Sequence, residues 1–268
     1  MIKPLTTTTA STNSNLSPCS ILRFMLIRHG EALTNLREDR FGGRINPSPL
    51  TLRGERQAHQ TGRYLGHSGY KFDRVYSSCA VRAIHTAEII TGYTGFDYKN
   101  IIHTEEVAEI DRGKWTSLPR KLIITPAVLA EMDKDPYGWK APGGESLLDV
   151  RKRMTDFICG SIAKKWSQKV REIGSLEGNA KIRKDKEGME HKDEFEMNGS
   201  AKMAPFTIGI FSHATALKCF LQGISNSSVV HNPNFQIDNC SMTEVLYYPM
   251  LNSWKISKLN FLPPRPKL

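Results

Sequence analysis

Three times along the chain, a strand-length segment, apolar in the first and last cases, breaks into a short polar turn. Residues 22–27 run into Arg28-His29-Gly30, residues 72–76 into Ser77-Ser78-Cys79, and residues 206–211 into Ser212-His213. Short apolar runs bounded by turn signals suit strands buried on both faces. Helices are expected between and after them. One begins at Thr51, a good N-cap, with Ala58, Tyr64 and Leu65 in its apolar stripe. A second is expected to be capped by Ser77–Ser78 and to run through residues 80–90; a third covers 147 to about 166, after a turn at Pro142–Ser146; a fourth begins near Ala214. Strand, polar turn and helix in alternation indicate parallel βαβ units and an α/β fold. Residues 243–248 and 253–256 read as a late hairpin. Residues 41–50, with two glycines and two prolines, must be loop, and 114–142 form a lid or side wall.

Length and composition set the frame for these elements. The 268 residues suffice for one large domain, and 39% hydrophobic with 24% charged residues fits a soluble globular chain. The expected division is a disordered tail over 1–20, one domain over 21–262 and a short tail over 263–268. Within the domain, residues 167–204 hold eight basic and eight acidic residues and almost no aromatics, so they are expected to be a disordered insertion. The net charge of +10 suits nucleic acid, an anionic membrane or a phosphorylated substrate. Zinc-finger spacing, an RNA-binding aromatic motif and a long Lys/Arg block are all missing, and no apolar stretch reaches the ~18 residues that span a bilayer. The expectation is therefore no nucleic acid and no membrane, with a basic surface around an anion site. Five widely spaced cysteines without a Cys-x-x-Cys pair argue for a reducing compartment. A cytoplasmic location is expected. A plastid or mitochondrion is the alternative if the acid-free first 23 residues act as a transit peptide.

The three turns carry the chemistry. In open α/β sheets ligands bind outside the carboxyl ends of the strands, and here those ends offer Arg28 and His29, Arg82 in the first turns of a helix, and His213. Helix amino termini at the same edge add unpaired N–H groups and partial positive charge. Two arginines and two histidines would hold the oxygens of a transferring phosphoryl group. A neutral imidazole is a competent nucleophile toward phosphorus. The missing part is a proton donor for the leaving oxygen. Glu109 is the candidate, since a carboxyl beside phosphate oxygens holds its proton more readily; on local chemistry alone, Glu106 and Asp111 rank nearly equal.

Six motifs in order resolve that choice by resemblance. They are Leu26-Ile27-Arg28-His29-Gly30-Glu31 followed by Asn35; Pro49-Leu50-Thr51-x-x-Gly54-x-x-Gln57-Ala58; Ser77-Ser78-x-x-x-Arg82-Ala83-x-x-Thr86-Ala87; Glu109-Ile110-x-x-Gly113-x-Trp115; Gly143-Gly144-Glu145-Ser146; and Ser212-His213. Over roughly residues 22–250, the insertion apart, the chain resembles the histidine phosphatase superfamily, which includes the phosphoglycerate mutases. The resemblance implies a three-layer α/β/α sandwich with a mostly parallel central sheet. It implies that His29 is phosphorylated, that Arg28, Arg82 and His213 bind the phosphoryl oxygens with Asn35 assisting, and that Glu109 protonates the leaving alcohol and then activates water. It implies no cofactor and no metal. Gly143–Ser146 is read as a structural helix start, and His59, His67, His85, His103, His191 and His231 as surface or packing residues.

Two departures bear on substrate choice: Ala214 stands where the family usually has glycine, and Thr116-Ser117 follow Trp115 where the phosphatase-like branch often has Glu-Gly. The leading expectation is a phosphomonoesterase acting on a small phosphorylated metabolite, with a phosphoprotein as a further substrate class. The first alternative is a cofactor-dependent phosphoglycerate mutase, ranked lower because the stretch after Glu109 lacks the mutases' Arg/Lys-rich pattern. The second is a non-catalytic phosphate-binding or docking protein on the same fold.

Overall fold

The computed structural model describes residues 21–170, 205–225 and 235–264. The expected tail over 1–20 and the insertion from 171 to 204 lie outside the described residues. So do His191 and His231.

The predicted alternation forms one six-stranded sheet in the order β3-β2-β4-β1-β5-β6. Its strands are β1 (Leu22–Arg28), β2 (Arg74–Ser77), β3 (Ile102–His103), β4 (Phe206–Ser212), β5 (Met242–Tyr248) and β6 (Ser253–Phe261). β1 and β2 both pair in parallel with β4, and β3 pairs in parallel with β2. β5 and β6 add an antiparallel edge, which is the expected hairpin. β1 sits between β4 and β5, so both of its edges are paired.

The helices are α1 (Leu52–His67), α2 (Val81–Thr94), α3 (Arg120–Ile123), α4 (Pro126–Lys134), α5 (Leu147–Thr155) and α6 (Ala214–Ile224). Alternation along β1 shows how they layer. Leu22, Phe24 and Leu26 point into a core built from Val150 and Met154 of α5 and Leu217 and Phe220 of α6. Met25 and Ile27 point into a second core with Ala58 and Leu65 of α1 and Ala87 and Ile90 of α2. Successive strand residues face opposite sides, so two helical layers on one sheet make a three-layer sandwich.

Several boundaries differ from expectation for local physical reasons. The second strand begins at Arg74 rather than 72, because Phe72 packs into the α1–α2 core from the preceding turn. The helix at Leu147 passes without a break through a π-helical segment, Asp156–Ala163, and continues over 164–170. Residues 167–170 are therefore helix rather than the start of the insertion. Ser167 Oγ donates to the Ala163 carbonyl, and Ser167 and Val170 are buried, so this last turn packs against the core. Pro263, assigned to the tail, is buried, and its carbonyl accepts from Gln60.

One close approach shapes the site. α1 starts against the loop after β1, with Thr51 Oγ1 accepting from Gly54 N at 3.0 Å. A Cβ on Gly30 would stand 2.5 Å from the Gly54 carbonyl oxygen, and a Cβ on Gly54 would overlap the Glu31 backbone. Both positions need glycine because two backbones touch there.

Candidate active site

Every sequence-predicted site residue lies at the carboxyl edge of the parallel strands. Arg28 ends β1 and His29 follows it. Arg82 is in the first turn of α2, and His213 is the N-cap of α6. His29, Arg82 and His213 are 4%, 3% and 0% exposed, so the charge that holds an anion is almost out of water. Arg28, His29, Asn35, Arg82 and Glu109 line one cavity of about 160 Å³. His213 stands behind it, its ring centroid 5.0 Å from that of His29.

Hydrogen bonds assign the role of each ring nitrogen. His29 Nδ1 lies 2.6 Å from the Gly30 carbonyl oxygen and must donate to it. Its Nε2 therefore carries the lone pair, and Arg82 Nε donates to it at 3.3 Å. Arg82 Nη2 donates to His213 Nδ1 at 3.2 Å, which leaves His213 Nε2–H to donate to Ser78 Oγ at 2.9 Å. Arg82 is itself clamped by the Ile45 and Gly43 carbonyls, at 2.6 and 3.2 Å. One arginine thus fixes the orientation of both imidazoles. Burial, Arg82 and Arg28 all push the His29 pKa well below 6.5. Burial, Arg82, His29 and Arg28 do the same for His213. Both rings are neutral at pH 7, the state in which His29 is a nucleophile.

Arg28 donates from Nη1 to the Ile237 carbonyl, while its buried Nε has no partner among the described residues. Asn35 Oδ1 accepts from Ala32 N at 2.9 Å, which turns its amide nitrogen outward from that turn. The Glu109 carboxylate accepts from Ile110 N at 2.8 Å and from Thr215 N, in the first turn of α6, at 3.3 Å. Of the three acids that local chemistry ranked nearly equal, Glu109 alone lines the cavity. Glu106 is exposed, and Asp111 Oδ1 accepts from Gly113 N at 2.7 Å.

Three supports were not legible as such. Ser78, expected to cap α2, instead holds His213. The N-cap is Ala80 without a side-chain bond, and Ser78 Oγ only receives the Ala80 N–H at 3.3 Å. Asn239, in the turn before β5, donates to the His29 carbonyl at 3.0 Å. Glu145 sits at the expected helix start, where Ser146 caps α5, but it also braces the acid. It accepts from Arg44, Arg153 and Asp111 N, while Arg44 Nε and Arg153 Nη1 grip the Glu109 and Ala108 carbonyls. Burial works against the Glu145 carboxylate, but Arg153, Asp111 N and Arg44 together hold its pKa below the usual range.

The stretch after Glu109 forms a wall of the cavity: Arg112 and Arg120 both line it, because the 3-10 turn at Gly113–Trp115 and the short α3 fold back over it. Of the unmatched histidines, His59, His67 and His103 are exposed and His85 is half-buried. Among the described residues, no three His, Cys, Asp or Glu side chains cluster closely enough to hold a metal. No helix there is long and apolar enough to cross a membrane.

Comparison with known proteins gives a consistent result. Residues 24–171 match the family model for the histidine phosphatase superfamily (branch 1). The 2,3-bisphosphoglycerate-dependent phosphoglycerate mutase of Rhizobium etli is 26% identical over 140 residues, 52% of this chain and 66% of that protein. The enzyme of the same name from Beijerinckia indica is 31% identical over 140 residues, 52% of this chain and 67% of that protein. Among solved structures, mycobacterial glucosyl-3-phosphoglycerate phosphatase with inorganic phosphate superposes with a TM-score of 0.63 at 20% identity, covering 89% of this chain and 97% of that one. The alpha-ribazole phosphatase of Shigella flexneri superposes with a TM-score of 0.62 at 19% identity, over 92% and 100% of the two chains. At these identities the structural likeness establishes the shared fold.

Proposed function

The chain belongs to the histidine phosphatase superfamily, and we propose that it hydrolyses a phosphomonoester through a phosphohistidine on His29. The observation that carries this is the tautomer of His29: Nδ1–H is held by the Gly30 carbonyl, so the Nε2 lone pair faces Arg82 and the cavity. A phosphoryl group entering between Arg28 and Arg82 replaces the Arg82–His29 hydrogen bond with bonds to its own oxygens, and Arg28 Nε gains a partner. Nε2 attacks phosphorus in line, the P–O ester bond breaks, and Glu109 gives the leaving alkoxide its proton. Glu109 then takes a proton from water. The hydroxide attacks phosphorus, the P–N bond breaks, and inorganic phosphate leaves with His29 restored. His213 is held by Ser78 behind the phosphoryl site, and Asn35 offers its amide at the rim.

The substrate belongs to the small phosphorylated molecules, with a phosphorylated side chain as the broader class. A cytoplasmic site of action is part of the same proposal, supported by the free thiols of Cys79, Cys159, Cys219 and Cys240. Release of phosphate from p-nitrophenyl phosphate in the presence of a chelator tests the mechanism. His29→Ala is expected to lower kcat at least ~10³-fold, the scale on which loss of a nucleophile acts. Unchanged turnover in that variant would overturn the assignment.

The mutase reading has specific support from Arg112 and Arg120 in the cavity and from the mutase relatives. Incubation with 3-phosphoglycerate and 2,3-bisphosphoglycerate separates the two. Isomerisation faster than phosphate release would favour the mutase; phosphate release alone favours the phosphatase.

A further inference from the structure

The reactive tautomer of His29 rests on one carbonyl, and that carbonyl belongs to the most permissive residue of the loop. His29 Nδ1 donates to the Gly30 oxygen at 2.6 Å. Position 30 must be glycine because a Cβ there would meet the Gly54 backbone. Glycine also has the widest choice of backbone angles, so the Gly30–Glu31 peptide group can turn over at little local cost. Turned over, it would aim the Glu31 N–H at the ring in place of the Gly30 carbonyl. Nδ1 would then accept, the proton would sit on Nε2, and the cavity would lose its nucleophilic lone pair. The peptide group has to be held the right way round.

Both peptide groups after His29 are held at each end. In the first, the His29 carbonyl accepts from Asn239 Nδ2 at 3.0 Å and from Cys240 N at 3.3 Å, and the Gly30 N–H donates to Thr86 Oγ1 at 3.0 Å. Thr86 is fully buried and donates its own proton to the Arg82 carbonyl at 2.6 Å. In the second, the Gly30 carbonyl accepts from the His29 ring, and the Glu31 N–H donates to Gln57 Oε1 at 2.9 Å. The partner is a donor, so the amide oxygen of Gln57 must be the atom that faces it. Gln57 stands on α1, which is fixed to the same loop where Thr51 N donates to the Glu31 carbonyl at 2.9 Å. The Glu31 backbone is thus bonded to α1 on both sides.

We infer that Gln57 is a positioning residue for the nucleophile: by accepting from Glu31 N it keeps the Gly30 carbonyl on His29 Nδ1, and so keeps the Nε2 lone pair on the side of the cavity. This rests on the assignment of His29 as the nucleophile and adds the side chain that selects its tautomer. Gln57 does not line the catalytic cavity and acts only through the loop. Its bond also strengthens the Gly30 oxygen as an acceptor, since hydrogen bonds in a chain polarise one another. Thr86 differs, because the peptide group it holds turns no atom toward the His29 imidazole nitrogens.

The test reads the His29 ring by nitrogen NMR of histidine-labelled protein, with its signals identified by their loss in His29→Ala, beside kcat and KM for p-nitrophenyl phosphate. Gln57 lines a polar cavity of about 250 Å³ on the far side of the loop, so its replacement disturbs little packing. Gln57→Met keeps the length and removes the acceptor. It should shift the His29 tautomer toward Nε2–H and lower kcat about 10-fold, the scale of a donor left unmet, with KM little changed. Gln57→Glu keeps an oxygen acceptor and should keep the tautomer and most of kcat. Thr86→Val orphans the neighbouring Gly30 N–H, so it should lower the urea midpoint without shifting the tautomer. The role is overturned if Gln57→Met leaves tautomer and kcat as in the wild type, if Gln57→Glu loses as much as Gln57→Met, or if Thr86→Val shifts the tautomer equally. Any of these results with turnover abolished in His29→Ala shows that only the role of Gln57 has failed. Turnover that persists in His29→Ala shows that the phosphatase assignment has failed.

Discussion

The floor of the site and its wall are built by opposite means. On the floor, Arg28, His29, Arg82 and His213 come from the ends of buried strands and the first turns of helices. Each is held by bonds to backbone or to another floor residue. On the wall, Arg112 and Arg120 come from a 3-10 turn and a four-residue helix, and among the described residues neither makes a hydrogen bond or ion pair to another side chain. A group that must meet the same phosphoryl chemistry every time benefits from a fixed position. Groups carried on short loop segments can be exchanged while the sheet stays intact.

This contrast can be broken most sharply at Arg82. Arg82→Gln removes the donor shared by both histidines, and kcat/KM for p-nitrophenyl phosphate should fall about 10²- to 10³-fold. The Arg82 charge also helps to lower both histidine pKa values, so its loss should move the acid limb of the rate profile to higher pH. A modest loss with an unmoved limb would mean that the floor is not organised around this residue.

Next in size is Ser78→Ala, which leaves the His213 Nε2–H without its acceptor in a buried place. A loss of about 10-fold in kcat is expected, from the 1–3 kcal/mol scale of an unmet buried donor. Nitrogen NMR of the His213 ring should show the Nε2–H tautomer weakened. Activity and tautomer both unchanged would return Ser78 to a mere turn residue.

The smallest effect concerns stability. Both histidines are neutral when folded, and their folded pKa values lie below the unfolded value of about 6.5. The unfolded chain therefore binds more protons as pH falls. Stability should be full above about 6.5 and decline below it, toward the lower folded values. The urea midpoint should drop between pH 6.5 and 5, and His213→Asn should flatten part of that slope. An identical slope in the variant would place the titration elsewhere.

Fold and floor were largely legible because their signals are local and periodic. The run over residues 22–27 is apolar at nearly every position, which only a strand covered on both faces tolerates, and it ends where Arg28 and His29 must emerge. Ser78 was legible as a turn residue but not as the support of His213, since a serine after a strand reads the same in either role. Asn239 and the brace at Glu145 join segments far apart in the chain, and no spacing announces them. The wall was not legible for the same reason: Arg112 and Arg120 are eight residues apart, and no spacing announces that they meet at one cavity.

By itself, the sequence determined the layered α/β sheet, the strand ends that carry Arg28, His29, Arg82 and His213, and the membership that its motifs announce. The tertiary structure alone decided which histidine nitrogen is free, what braces the acid and how many arginines surround the cavity. The physical reason is range. Burial and capping act on neighbours in the chain, whereas tautomers, desolvation and shared charge depend on groups that meet only when the sheet closes.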